Sequence, residues 1–203
     1  MSGGFQLSYL EIIAVIKDVI LSVAAITGAV VAVRGLNTWQ RQLKGQTEHE
    51  LAKHLLISLF KYRDALSNVR NPVILSSEMS SPSNEERQYM SPEKLNAYQQ
   101  SIAYQARFKK VIEERSSLYI HGLEAEALWG ETVNKMLQNI YVFDRKLQLN
   151  ILLFLKSLDE SPRINESHFD TNIIYARHDK DEFWDGFTSE VTQMEKYLKP
   201  KLK

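Results

Sequence analysis

An apolar run of 22 residues near the amino terminus, apolar side chains recurring at steps of three and four along most of the remainder, and the lack of any convincing strand-like alternation specify an all-α protein. The predicted architecture is an N-terminal transmembrane helix continuing into a cytoplasmic antiparallel helical bundle. Residues 1–35 supply a short N-terminal segment and the anchor, and residues 36–203 the helical cytoplasmic domain.

The run from Ile12 to Val33 reads IIAVIKDVILSVAAITGAVVAV. As a helix it is about 33 Å long, close to the hydrocarbon thickness of a bilayer. Only Lys17 and Asp18 interrupt it. They lie near its amino-terminal end, where lysine can snorkel and the adjacent acid offsets part of the cost of an intramembrane charge. Met1 to Leu10 carries no basic side chain, and the run exits into Arg34, Gly35 and Trp39, which fits an uncleaved anchor rather than a signal peptide. Arg34, Arg41 and Lys44 follow the run, so the positive-inside rule puts the N-terminus outside and the C-terminus in the cytoplasm, with Trp39 as an interfacial anchor. The alternative reading is a core helix of a water-soluble bundle. Within the run Ala24, Gly28 and Ala32 recur every four residues, with Gly35 near the same stripe. Small residues at that spacing let two helices approach closely in lipid, which predicts a homo-oligomer.

After the anchor, Trp39, Leu43, Leu51, Leu55, Leu59, Tyr62, Leu66 and Val69 form one stripe, predicting a helix over about 36–70 with Gly45 as its weakest point. Asn71-Pro72 ends it. Residues 76–91 are rich in Ser, Pro, Asn and Glu and read as a mobile exposed loop. Ser91, Pro92 and Glu93 then look like a helix start, opening a helix over about 92–117, with shorter helical character to Trp129 and a break at Gly130. The clearest stripe runs from Val133 through Met136, Ile140, Phe143, Leu147 and Ile151 to Leu158, a helix over about 131–159. A last helix, about 180–199, carries Trp184, Phe187, Val191, Met194 and Leu198.

The balance of 25 basic and 25 acidic side chains removes the electrostatic case for nucleic-acid binding, and the absence of cysteine removes disulfides, thiolate zinc sites and cysteine nucleophiles. The basic excess is local. Residues 34–70 hold seven basic and three acidic side chains, and Arg63 and Arg70 there read as a solvated face or a partner contact. His49 and His54 are five apart and do not form a helical ligand pair. His168, Asp170, His178, Asp179 and Asp181 are the only suggestive metal cluster, and they read better as the charged approach to a helix start. Glu85-Glu86 and Glu113-Glu114 are adjacent and diverge, and no phosphate-binding or nucleophile-elbow motif occurs. No catalytic residue, metal or cofactor is predicted.

The stretch Trp39-Gln40-Arg41-Gln42-Leu43-Lys44-Gly45, with Glu50-Leu51-Ala52, Tyr62-Arg63-Asp64-Ala65 and Val69-Arg70-Asn71-Pro72 downstream, resembles small, largely uncharacterised bacterial single-span inner-membrane proteins. The resemblance covers about residues 10–75. It implies an inner-membrane location and a helical cytoplasmic part, and it transfers no catalytic residue. Some proteins of this layout are carried by mobile elements or phage-defence loci, which the resemblance offers as a setting. The expected function is a non-enzymatic, membrane-anchored, self-associating protein that presents its cytoplasmic helices to a protein partner. The alternatives are a membrane-perturbing or pore-forming effector, for which Lys17 and Asp18 inside the span are the best evidence, and a metal-dependent hydrolase using the 168–181 cluster.

Overall fold

The computed structural model describes residues 9–83, 87–159 and 169–202. Every regular element among them is helical. Helix α1 covers Tyr9–Val69, α2 Pro92–Trp129, α3 Thr132–Asp159, the short α4 Thr171–Ile174, and α5 Glu182–Leu198. A single 3-10 turn occupies Ser76–Glu78 and another, Lys199–Leu202, closes the chain. The chain divides into two compact units, Met1–Thr47 and Glu48–Lys203.

In the first unit α1 is long and apolar enough to cross a membrane, and none of its most apolar window is buried. Ile13, Ile20, Val23, Ile26 and Val31 all stand exposed. Ser22 and Thr27, the hydroxyl residues inside the run, return their protons to the carbonyls of Asp18 and Val23 at 2.7 and 2.8 Å, so neither is left unsatisfied in an apolar surrounding. Gly45 lies within α1 and does not interrupt it.

In the second unit the 48–69 part of α1 behaves in the opposite way. Leu55, Leu59, Tyr62, Leu66 and Val69 are fully buried. Burying each such side chain contributes about 1.5–3 kcal/mol. The Tyr62 ring meets Tyr141 of α3 edge-on at 5.9 Å and Phe187 of α5 at 6.4 Å. Ser91 caps α2 by accepting from the Lys94 N–H, with Pro92 in the first turn where its missing donor costs nothing. Helix α2 runs on past Ser117 to Trp129, because Val111, Leu118, Gly122 and Ala125 keep facing the core at steps of three, four and seven. It stops at Gly130, whose φ of 81° only glycine adopts without strain. The tight turn sends α3 back along α2. Asn134 then bonds Glu126, Arg115 bonds Asp144, and the Tyr104 ring meets Phe154, a register that fixes an antiparallel hairpin. Phe143 of α3 packs edge-on against Phe183 and Phe187 of α5, at 5.5 and 5.9 Å.

Candidate functional site

The second unit buries three charged side chains, Arg70, Arg107 and Asp144, among its described residues. Arg70, one residue beyond α1, is 1% exposed. Its guanidinium forms a fork with Asp181 at 2.9 and 3.0 Å and donates to the carbonyls of Asn172, Ile173 and Tyr175. The same group lies 4.8 Å over the Phe183 ring. Burial alone would raise the Asp181 carboxyl, but hydrogen bonds from Arg70 and from the Trp184 and Arg177 N–H groups outweigh it and hold it below its ordinary value. Asp181 thereby caps α5 while neutralising Arg70. Arg70 is thus neither a solvated charge nor a partner contact, as its neighbours in sequence suggested; its donors are spent on the 172–181 connector.

Arg107 of α2 repeats the arrangement. It is 4% exposed, grips Glu78 with two bonds of 2.8 Å, and donates to the carbonyls of Asn71 and Val73. The hydrogen bonds from Arg107 pull the Glu78 carboxyl down to about 2. The start of the 76–91 loop is therefore fastened to α2 rather than loose.

A serine and a histidine also meet. Ser58 of α1 lies 2.9 Å from His121 Nδ1 and 3.2 Å from Ser117 Oγ, and the His54 ring stands 5.6 Å from that of His121. This is the spacing of a nucleophile and its base. Ser58 is nevertheless 3% exposed and sits mid-helix, where the neighbouring N–H groups are committed to the helix and cannot stabilise an oxyanion. The cluster joins α1 to α2, with Ser58 itself buried between them.

One of several open grooves, of about 340 Å³, lies between α2 and α3 and is lined by Arg115, Ser116, Tyr119, Ile120, Gln138, Tyr141 and Arg145. Its α2 wall belongs to a second apolar stripe, Ile112, Tyr119, Ile120 and Leu123, all about half exposed, and Val142, Leu149 and Leu152 stand exposed on α3. Ser116, in the middle of the α2 stripe, spends its hydroxyl on the Ile112 carbonyl at 2.8 Å. Arg115 pairs with Asp144 at 3.0 Å and lies 5.3 Å over the Tyr141 ring. Tyr141 is 5% exposed, and among the described residues its hydroxyl has no hydrogen-bond partner. Tyr62 beneath it is likewise orphaned; burial, then the nearby Asp144 carboxylate, pushes its phenol far above the ordinary range. The groove thus combines an apolar wall, two arginines, and a buried phenol without a partner.

The site residues expected from sequence fall in the first unit. Ala24, Gly28 and Ala32 share one face of α1, and a Cβ added at Gly28 or Gly35 would meet nothing within 4 Å. Lys17 and Asp18 form an exposed pair at 3.8 Å. Arg34, Trp39, Arg41 and Lys44 are exposed on the same helix. Of the 168–181 cluster, His168 lies outside the described residues. Asp170 caps α4 and Asp181 serves Arg70, and among the described residues no three potential ligands converge on a metal position. The two arginine clamps were invisible in sequence, because their partners lie 29 and 111 residues away. The α2 stripe was missed, although Ile112, Ser116, Tyr119 and Leu123 follow steps of three and four, because the helix was expected to end near Ser117.

No known protein family, curated protein or solved structure matches the chain.

Proposed function

We propose that the protein is a membrane-anchored, self-associating helical protein that presents a cytoplasmic antiparallel bundle to a protein partner, without catalysis of its own. One observation carries this reading. The most apolar window of α1 is wholly exposed, while the apolar stripe of residues 51–69 in the same helix is buried. A bare helix of that length and composition needs a lipid surrounding or helical partners to cover it. Arg34, Arg41 and Lys44 after the run favour a cytoplasmic carboxy-terminal side, in the inner membrane that the family resemblance implies. The face bearing Ala24, Gly28 and Ala32 is the contact between copies. The α2–α3 groove is the partner site, and its chemistry fits an amphipathic helix that brings apolar anchors together with a carboxylate for Arg145.

The anchor is tested by sedimentation. Full-length protein should pellet with membranes and require detergent for release; material that stays in a high-speed supernatant without detergent overturns the proposal. Gly28→Ile should lower the oligomer mass by light scattering. For the groove, a labelled leucine-rich helical peptide carrying one glutamate should bind about tenfold more weakly to Arg145→Glu, as the loss of a charge-assisted contact implies. Equal binding would remove the groove from the proposal.

A second reading follows from the Lys17–Asp18 pair within the apolar run: assembled spans that conduct ions, in the phage-defence setting the resemblance offers. Ion-flux measurements in liposomes decide it, since the anchor reading predicts no leak at any protein density.

A further inference from the structure

Two histidines of the second unit meet across the contact between α1 and α2. The centroids of the His54 and His121 rings are 5.6 Å apart, with their planes inclined at 52°. Two imidazoles that share one trigonal or tetrahedral metal ion, at metal–nitrogen bonds of about 2.0–2.1 Å, hold their centroids about 5–6 Å apart. The same spacing also suits two rings packed for their faces, and the nitrogens decide between the two.

Each ring has one nitrogen held from behind and one left over. His121 Nδ1 lies 2.9 Å from Ser58 Oγ, which lies 3.2 Å from Ser117 Oγ. With its proton on Nδ1, His121 donates to Ser58, Ser58 donates on to Ser117, and the ring's lone pair stands on Nε2. Ser58 is 3% exposed, so the group that orients His121 belongs to the core. On His54 the Glu50 carboxylate stands 3.7 Å from Nε2, and its charge favours the tautomer with the proton there and the lone pair on Nδ1. Among the described residues neither His121 Nε2 nor His54 Nδ1 has a hydrogen-bond partner. One nitrogen backed by another residue and the other free is how metal-binding histidines are oriented, and rings packed for their faces have no use for it. Lys53 holds the same Glu50 oxygen at 3.6 Å, so that carboxylate serves the histidine rather than a metal. No group of three potential ligands forms among the described residues, which leaves water to complete the shell. The His54 side chain is 56% exposed and His121 half-buried, so an ion reaches the pair from water. Two imidazoles suit zinc and its neighbours and not calcium or magnesium.

We infer that His54 and His121 bind a divalent transition-metal ion of the zinc type, pinning α1 to α2, with Ser58 as the residue that positions His121. The inference concerns the second unit alone and goes beyond the anchor and groove readings. Full-length protein without a histidine tag, in mild detergent at neutral pH and stripped of metal by EDTA that is then removed, is titrated with zinc chloride against a chromophoric zinc indicator. One zinc per chain should bind saturably, with affinity lowered at least about tenfold by His54→Gln and by His121→Gln. Ser58→Ala should lower it by about tenfold at unchanged stoichiometry, the effect of losing a group that orients a ligand. His178→Gln should leave binding as it was, and magnesium chloride should not compete. Zinc should also raise the unfolding midpoint of the unmodified protein and not that of His54→Gln, whose exposed position leaves the fold intact. Full affinity in His54→Gln, or no saturable binding by the unmodified protein, overturns the inference. Binding without a zinc-dependent rise in the midpoint overturns it too, because the ion then does not bridge the two helices.

Discussion

Two parts of one helix, 12–47 and 51–69, carry apolar side chains in similar abundance and differ in whether the rest of the chain covers them. In the later part Leu55, Leu59, Leu66 and Val69 are fully buried among α2, α3 and α5. In the earlier part Val23, Ile26, Leu36 and Trp39 remain exposed. Helical periodicity reports that a face wants burial and is silent about where the burial comes from. What separates the two parts is the company of polar devices. The buried part is closed by Arg70, Ser58 and the Tyr62 pair, each bonded to or packed on another element of its unit. In the exposed part the hydroxyls of Ser22, Thr27, Thr38 and Thr47 turn back onto the helix's own backbone, and Lys17 pairs with its neighbour Asp18.

The contrast is broken most strongly at the clamp. Asp181→Ala leaves the Arg70 guanidinium buried without its counter-charge and should cost about 3–5 kcal/mol, seen as a large fall in the unfolding midpoint of full-length protein in mild detergent. An unchanged midpoint would mean that Arg70 reaches water.

Next comes a matched pair of truncations. Leu59→Ala, at a fully buried position, should destabilise by about 2–5 kcal/mol. Leu43→Ala, about half exposed, should change the same midpoint by no more than about 0.5 kcal/mol. Equal effects on the midpoint would erase the distinction between the two parts of the helix.

The glycines sharpen it further. A Cβ on Gly122 would collide with the Leu137 side chain, so Gly122→Ala should cost about 1–3 kcal/mol, the range for overpacking. Gly28→Ala meets nothing in its own chain and should leave the unfolding midpoint in place.

The smallest effect is set by pH. The Glu78 carboxyl is depressed from 4.5 to about 2 when folded, so the stability it contributes is complete above pH 4.5 and declines as pH falls toward 2. Protection of the 71–79 amides from hydrogen exchange, taken relative to the unstructured rate at each pH, should fall as pH drops across that window and be flat above it. In Glu78→Gln the fall should disappear.

The helices were legible because each carries a long stripe at helical spacing, and Asn71-Pro72 and Gly130 announce two of the stops by local chemistry alone. The continuation of α2 beyond Ser117 was harder. Its core face there is built from Gly122 and Ala125, which carry little apolar signal, while the larger Ile120 and Leu123 point outward. The arginine clamps were not legible, since a buried cation is identical in sequence to a solvated one until its distant acceptors are in place. The Ser58–His121 contact was missed for the same reason. The groove was not legible, because its α2 stripe crosses the expected helix end at Ser117 and Tyr141 reads in sequence as an ordinary core aromatic.

The Arg70–Asp181 pair also sets an order of events during synthesis. The arginine leaves the ribosome 111 residues before the acid that neutralises it. Until that stretch emerges, the end of the first helix must keep its cation hydrated, and the cluster of leucines beside it cannot dry. A nascent chain stopped anywhere before residue 181 therefore lacks the counter-charge that lets this helix end leave water.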